Sequence, residues 1–250
     1  MLSARSIFDE IRRNDEAFRF LVSVAAKGET QGGFENARIA ALTEDPELSR
    51  KIARHGLDES KHGRIFGRFL ERRNLQPCEV PLESDYCMQL ERRGVGLPHR
   101  RLQEERPLAT EEILDYLAHS RVTEQRASEE VDRMVAAFRD DPELGPALRL
   151  IADDEVNHLS YCHEELRRLA ASGHDDTIRR KLRHYARAEI DAYRRTSLSF
   201  VRRMGRILGW GPVKRALLAT GVLAVWLVER SFTWRRMVRL APPIRPGALG

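Results

Sequence analysis

Two short strings in this chain read DESKH and DEVNH, and they stand 96 residues apart. Each sets a glutamate three residues before a histidine: Glu59 before His62, and Glu155 before His158. On a helix such residues share one face, about a turn apart. A carboxylate oxygen beside an imidazole nitrogen suits a borderline divalent metal such as Fe(II). In so charged a chain one such pair arises by composition alone. Two at the same offset from the same turn are a stronger signal. Asp45-Pro46-Glu47-Leu48 precedes the first pair, Asp141-Pro142-Glu143-Leu144 precedes the second, and each glutamate lies 14 residues past its aspartate.

Two facing helices thus offer two Glu and two His, and a dimetal site needs one more carboxylate from each remaining helix. In antiparallel helices joined by a tight turn, residues at equal depth lie about equally far from that turn. Glu29 lies 16 residues before Asp45, and Glu35 lies 10 before it. Glu124 lies 17 before Asp141, with Glu129 and Glu130 at 12 and 11. The turn uses two or three residues, so Glu29 and Glu124 match best. Glu35, the alternative, would displace its carboxylate by about 6 Å at 1.5 Å per residue. The expected metal set is therefore Glu29, Glu59, His62, Glu124, Glu155 and His158.

Asp58 and Asp154 immediately precede the two glutamates. A metal-bound imidazole usually donates its other N–H to a carboxylate, so a pseudo-two-fold arrangement pairs Asp58 with His158 and Asp154 with His62. Tyr161 is a candidate catalytic residue, placed to donate hydrogen bonds or electrons to the site; the plainer reading is core packing with its hydroxyl satisfied. His55, His99, His119, His163, His174 and His184 fit no ligand pattern and read as surface or packing residues. Cys162 reads as a small buried residue. Cys78, Cys87 and Cys162 form no CxxC pair, which argues against a rubredoxin-type or zinc site and against a disulfide framework.

The elements that must position these residues are helices. Apolar residues recur at helical spacing and alternating β-branched runs are absent, so the fold class is all-α. The first helix is expected over 14–43, and the second from the Asp45-Pro46 turn to residue 73, with Asp45 as N-cap and Pro46 in the first turn. Residues 74–107, broken by Pro77, Pro81, Gly94, Gly96 and Pro98, form a long crossover with a short helical piece near 86–93. A third helix is expected over 110–139 and a fourth from Asp141-Pro142 to about Gly173. Gly28, Gly32 and Gly33 weaken the first helix beside Glu29. Two helices, a long crossover and two helices give the connectivity of a four-helix bundle.

Charge divides the chain. Residues 173–250 carry 17 basic and 5 acidic side chains, a balance of +12, against −7 for residues 1–172. The expected organisation is a metal-binding bundle over 1–172 and a basic helical extension over 173–250. That extension holds an amphipathic helix over 176–208, Trp210-Gly211-Pro212, and an apolar segment over 213–228. The 13 apolar or small residues of 216–228 are fewer than the ~20 needed to span a bilayer. Trp210, Trp226, Phe232 and Trp234 among many arginines suit a helix lying in the headgroup region of an anionic membrane. The competing reading packs this segment on the bundle or in a homodimer interface. Nucleic acid is not an expected partner, because no recognised motif accompanies the charge. The N-terminal string MLSARSIFDEIRRND lacks the apolar run of a signal peptide, so the expectation is a cytoplasmic protein, peripheral on the inner face of the membrane.

The ordered set Glu29, Glu59-x-x-His62, Glu124, Glu155-x-x-His158 resembles the ferritin-like di-iron carboxylate superfamily, over residues 14–172. Within it, IADDEVNHLSY and GETQ are similar to strings of bacterial aldehyde-deformylating oxygenases. The resemblance implies a ferritin-like four-helix bundle, with additional C-terminal helices here, holding two iron ions; manganese fits the same ligands. It implies an O2-dependent oxygenase or hydroxylase. No electron-transfer domain is present, so an external donor must supply electrons, and the tail points to a hydrophobic, lipid-like substrate. Superfamily likeness alone does not choose the reaction. An iron-handling or peroxide-scavenging protein without organic substrate is one alternative, and a non-enzymatic helical interaction protein another. A cavity between the bundle helices favours the oxygenase, and an open site favours iron handling.

Overall fold

The computed structural model describes residues 3–240. Ten α-helices follow one another: α1 (Ala4–Arg12), α2 (Asp15–Ala41), α3 (Pro46–Glu71), α4 (Tyr86–Glu91), α5 (His99–Leu102), α6 (Thr110–Ala137), α7 (Leu144–Leu169), α8 (Asp175–Ile207), α9 (Pro212–Val228) and α10 (Arg235–Val238). No strand occurs among the described residues. The two DPEL turns work alike. Asp45 Oδ1 accepts from the Glu47 and Leu48 amides, and Asp141 Oδ1 from the Glu143 and Leu144 amides. Each satisfies amides that a helix start leaves without partners. Regular helix begins at Pro46 in the first copy and at Leu144 in the second.

Helix α2 packs along α3, α6 along α7, and α3 meets α7. Of the glycines expected to weaken α2, Gly33 instead brings it close to α3, where Gly63 answers it. A Cβ on Gly33 would meet the Ser60 side chain and lie 3.2 Å from the Gly56 carbonyl oxygen, and one on Gly63 would lie 2.7 Å from Thr30 Oγ1. Interhelical contact of that closeness needs residues without a Cβ.

The largest core cluster joins Ile39 of α2, Ile52 of α3 and Leu117 of α6 to Ile178, Leu182 and Ile190 of α8. The boundary expected after residue 172 thus falls at a kink rather than a gap in the core. Gly173 has φ +102, and α8 turns back there onto α6. Arg126 of α6, Glu189 of α8 and Glu229 form a buried cluster. The Arg126 guanidinium donates to both carboxylates at 2.8–3.0 Å, and Tyr86 also donates to Glu189.

The tail differs in one respect from the sequence expectation. The helix continues past residue 228 through a π turn, so Pro212–Thr233 forms 22 residues long and apolar enough, by length and composition, to cross a membrane. The 13 apolar or small residues of 216–228 form the middle of this span, and the helix carries Glu229 beyond them into the Arg126 cluster. No residue of α9 is buried, and Leu217, Leu223, Val225, Leu227 and Phe232 stand exposed. Both ends are tied to the helical body. Trp210 and Lys214 donate to Glu10 of α1 at 2.7 and 2.6 Å, while Trp226 donates to Asp191 of α8 at 2.8 Å. α9 therefore lies along the body, packed on α8 and bare on its outer face.

Candidate metal centre

Helices α3 and α7 bring their Glu-x-x-His pairs together at mid-bundle. Glu59, His62, Glu155 and His158 are all buried. From α2, Glu29 Oε2 comes within 3.1 Å of His62 Nδ1, and from α6, Glu124 Oε2 comes within 3.6 Å of His158 Nδ1. The six residues of the expected set converge. Glu35 does not join them; it pairs with His99 at 3.2 Å and accepts from Gln31 at 2.7 Å. Glu129 pairs with Arg236, and Glu130 accepts from Tyr193 at 2.5 Å.

The two aspartates cross over. Asp154 Oδ2 lies 3.0 Å from His62 Nε2, and Asp58 Oδ2 lies 3.8 Å from His158 Nε2, the latter too long for a hydrogen bond. Lys61 bridges the aspartates, 3.0 Å from Asp58 and 2.5 Å from Asp154. Tyr161 does not reach the carboxylates. Its hydroxyl lies 2.7 Å from His55 Nδ1 and 2.6 Å from the Tyr116 hydroxyl.

His55 corrects the sequence reading. It is neither a surface nor a mere packing residue: only 2% exposed, it stacks on His158 at 3.9 Å between centroids and sets Nε2 3.2 Å from Glu59 Oε1 and 3.4 Å from Glu124 Oε1. Its signal was present in the chain, since His55, Glu59 and His62 stand at i, i+4 and i+7, one helical stripe. His99 and His119 line the neighbouring cavity.

Two overlapping donor groups result, each with its ligand atoms within 4.8 Å of one another: Glu29, Glu59, His62 and Glu155, and His55, Glu59, Glu124 and His158. This buried cluster could hold a metal ion. The electrostatics agree. Burial raises Glu29 and Glu155 well above the usual carboxylate range, and the neighbouring carboxylates raise them further. Burial also acts to raise Glu124, but His55 and His158 hold it well below that range. His158 is pushed down by burial, yet Asp58, Glu124 and Glu155 hold it well above the ordinary imidazole value. Four carboxylates in a dry site repel unless cations or protons intervene. The buried atoms His158 Nδ1, His158 Nε2 and Glu155 Oε2 have no hydrogen-bond partner. Buried polar atoms rarely go unpaired in proteins, and a ligating nitrogen and oxygen facing a shared cation site are two that would.

A cavity of about 500 Å³ opens beside the centre, between α2 and α6, with α4 and α8 closing it. Glu29, Glu59, Glu124 and Glu155 reach its wall, and Leu21, Val24, Ala25, Leu90 and Phe200 are among its apolar lining. Gly32 clears the way between them, since a Cβ there would lie 2.8 Å from Glu59 Oε2. No family model, curated protein or solved structure matches the chain.

Proposed function

We propose that this chain is an O2-dependent di-iron oxidoreductase of the ferritin-like type, acting on a hydrophobic, lipid-like substrate with electrons from an external reductase. One observation carries the reading: the four glutamates of a largely buried Glu/His cluster line a largely apolar cavity. Two iron ions, held by these glutamates with His62 and His158, would supply oxygen activation. Glu59 belongs to both donor groups. Glu155 lies 3.8 Å from His62 Nδ1 and 3.7 Å from His158 Nδ1. Asp154 accepts the Nε2–H of His62 and leaves Nδ1 bare toward Glu29. The apolar lining holds a hydrocarbon chain against the carboxylate face and keeps water from it. Helix α9 lies in the headgroup region of an anionic membrane, its outer face toward lipid; two tethered ends favour that placement over a span.

Anaerobic loading with Fe(II), followed by O2 under optical and Mössbauer spectroscopy, tests the reading. About two irons per chain are expected, with at least one lost in Glu59→Ala and in His158→Ala. Loading should weaken as pH falls, because the raised Glu29 and Glu155 carboxyls must release protons before they ligate. Both irons retained in either variant would exclude the ligand assignment.

A further inference from the structure

Two of the positions at which the repeat departs from itself stand beside the centre. Under the 96-residue offset that superposes Glu59 on Glu155, His55 corresponds to Ile151 and Tyr161 corresponds to Ile65. Both isoleucines are buried in an apolar cluster. Their counterparts His55 and Tyr161, by contrast, touch each other: His55 Nδ1 lies 2.7 Å from the Tyr161 hydroxyl. One end of the centre thus has a histidine–tyrosine pair where the other has hydrocarbon.

The hydrogen bonds beyond that pair run in one direction. Tyr116 donates its hydroxyl proton to Asn36 Oδ1 at 2.7 Å, and that carbonyl oxygen can only accept. Tyr161, 2.6 Å from Tyr116, must then donate to Tyr116, which leaves its own oxygen to accept from His55 Nδ1–H. A neutral imidazole protonated at Nδ1 carries its lone pair on Nε2. Nε2 faces Glu59 Oε1 at 3.2 Å and Glu124 Oε1 at 3.4 Å. A lone pair aimed at two carboxylates is repulsive unless a proton or a metal cation sits among the three, and the cation satisfies all three at once. His158 Nδ1, 3.7 Å from Glu59 Oε1 and 3.6 Å from Glu124 Oε2, faces the same point.

We infer that His55 is a seventh protein ligand of the centre, held in its ligating tautomer by Tyr161, so that the two cation positions are chemically unequal. The inference rests on the dimetal reading above. One position has two imidazoles and two carboxylates, from His55, His158, Glu59 and Glu124. The other has one imidazole and three carboxylates, from His62, Glu29, Glu59 and Glu155. Imidazole suits zinc, copper, iron and nickel, whereas carboxylate suits magnesium and manganese. The nitrogen-rich position therefore prefers the later divalent ions and fills at lower cobalt concentration.

Cobalt(II) added to the full-length protein tests this without a variant. Each ligating imidazole keeps one exchangeable N–H that the paramagnetic ion shifts far outside the protein envelope in proton NMR. Three such signals are expected, and two, from His62 and His158 alone, would overturn the inference. In parallel, His55→Gln should weaken one of two cobalt-binding steps about tenfold or more and alter the optical bands of that position only. Tyr161→Phe should keep three signals and weaken the same step, as loss of an orienting partner does. Two unchanged steps in His55→Gln would make His55 a buried hydrogen-bond donor outside the coordination shell and overturn the inference. A wild-type protein that takes up no cobalt overturns the dimetal reading itself, and this one with it.

Discussion

The hairpins α2–α3 and α6–α7 carry the same ligands and are built differently. The first closes on itself through Gly33, Gly56 and Gly63. At the repeat-equivalent positions the second has Ser128, Ala152 and Leu159, using the 95-residue offset from Glu29 to Glu124 on one helix and the 96-residue offset on the other. Side chains there hold α6 and α7 further apart. The contrast extends to charge: Gln31 in α2 corresponds to Arg126 in α6, which binds Glu189 and Glu229. The first hairpin packs closely on itself and meets the tail through apolar contacts, whereas the second binds the tail through a buried ion cluster. Ligand geometry tolerates either construction, because only positions one turn apart on facing stripes need to be kept.

The largest effect that would break this comparison is on the tail clamp. Arg126→Met leaves Glu189 and Glu229 buried with their shared counter-charge gone, and losing one partner of a buried ion pair costs about 3–5 kcal/mol. Gln31→Met, at the equivalent place, removes a hydrogen bond to the Glu35 carboxylate worth about 1.5–3 kcal/mol. Urea unfolding of both variants measures the pair; equal losses would mean that the tail completes nothing. A smaller effect sharpens the helix-spacing argument. Gly33→Ala should lose about 1–3 kcal/mol by overpacking, whereas Ser128→Ala should stay within about 0.5 kcal/mol. Thermal melts of the two decide it, and a harmless Gly33→Ala would show that glycine does not set the α2–α3 distance. The smallest expected effect concerns what the second hairpin holds out to solvent. Full-length protein should co-sediment with anionic liposomes more than with neutral ones and be partly released by salt, each basic side chain near the surface contributing about 1 kcal/mol. Leu223→Glu on the bare face of α9 should weaken that binding. No co-sedimentation at low salt would reduce α9 to a packing helix.

The helices and the converging carboxylates were legible because they rest on local rules. Asp45 and Asp141 cap, proline starts, and counting from a turn separates Glu29 from Glu35 by depth. His55 was missed for a different reason. Histidine on a charged helix is usually exposed, and whether this one is buried depends on α6 and α7, which follow it only after the long crossover. Only the i, i+4, i+7 stripe and the contrast with Ile151 marked it. The role of α8 was hidden likewise. Its basic face dominates the composition, while Ile178, Leu182, Ala186 and Ile190, which enter the core, are too few to shift it. The extent of α9 was legible, but not the π turn beyond it, because a charged residue, Glu229, ends the apolar run although a buried arginine awaits it.

The Arg126 cluster also has a consequence in time. Its carboxylates lie 63 and 103 residues further along the chain. Synthesis proceeds at about 5–20 residues per second, so Arg126 waits on the order of 5–20 s before Glu229 exists to meet it. For the same interval the cavity wall contributed by Tyr193, Thr196 and Phe200 is absent or incomplete. On the ribosome, the carboxylate face is therefore a cleft open to solvent, and α8 closes it once made.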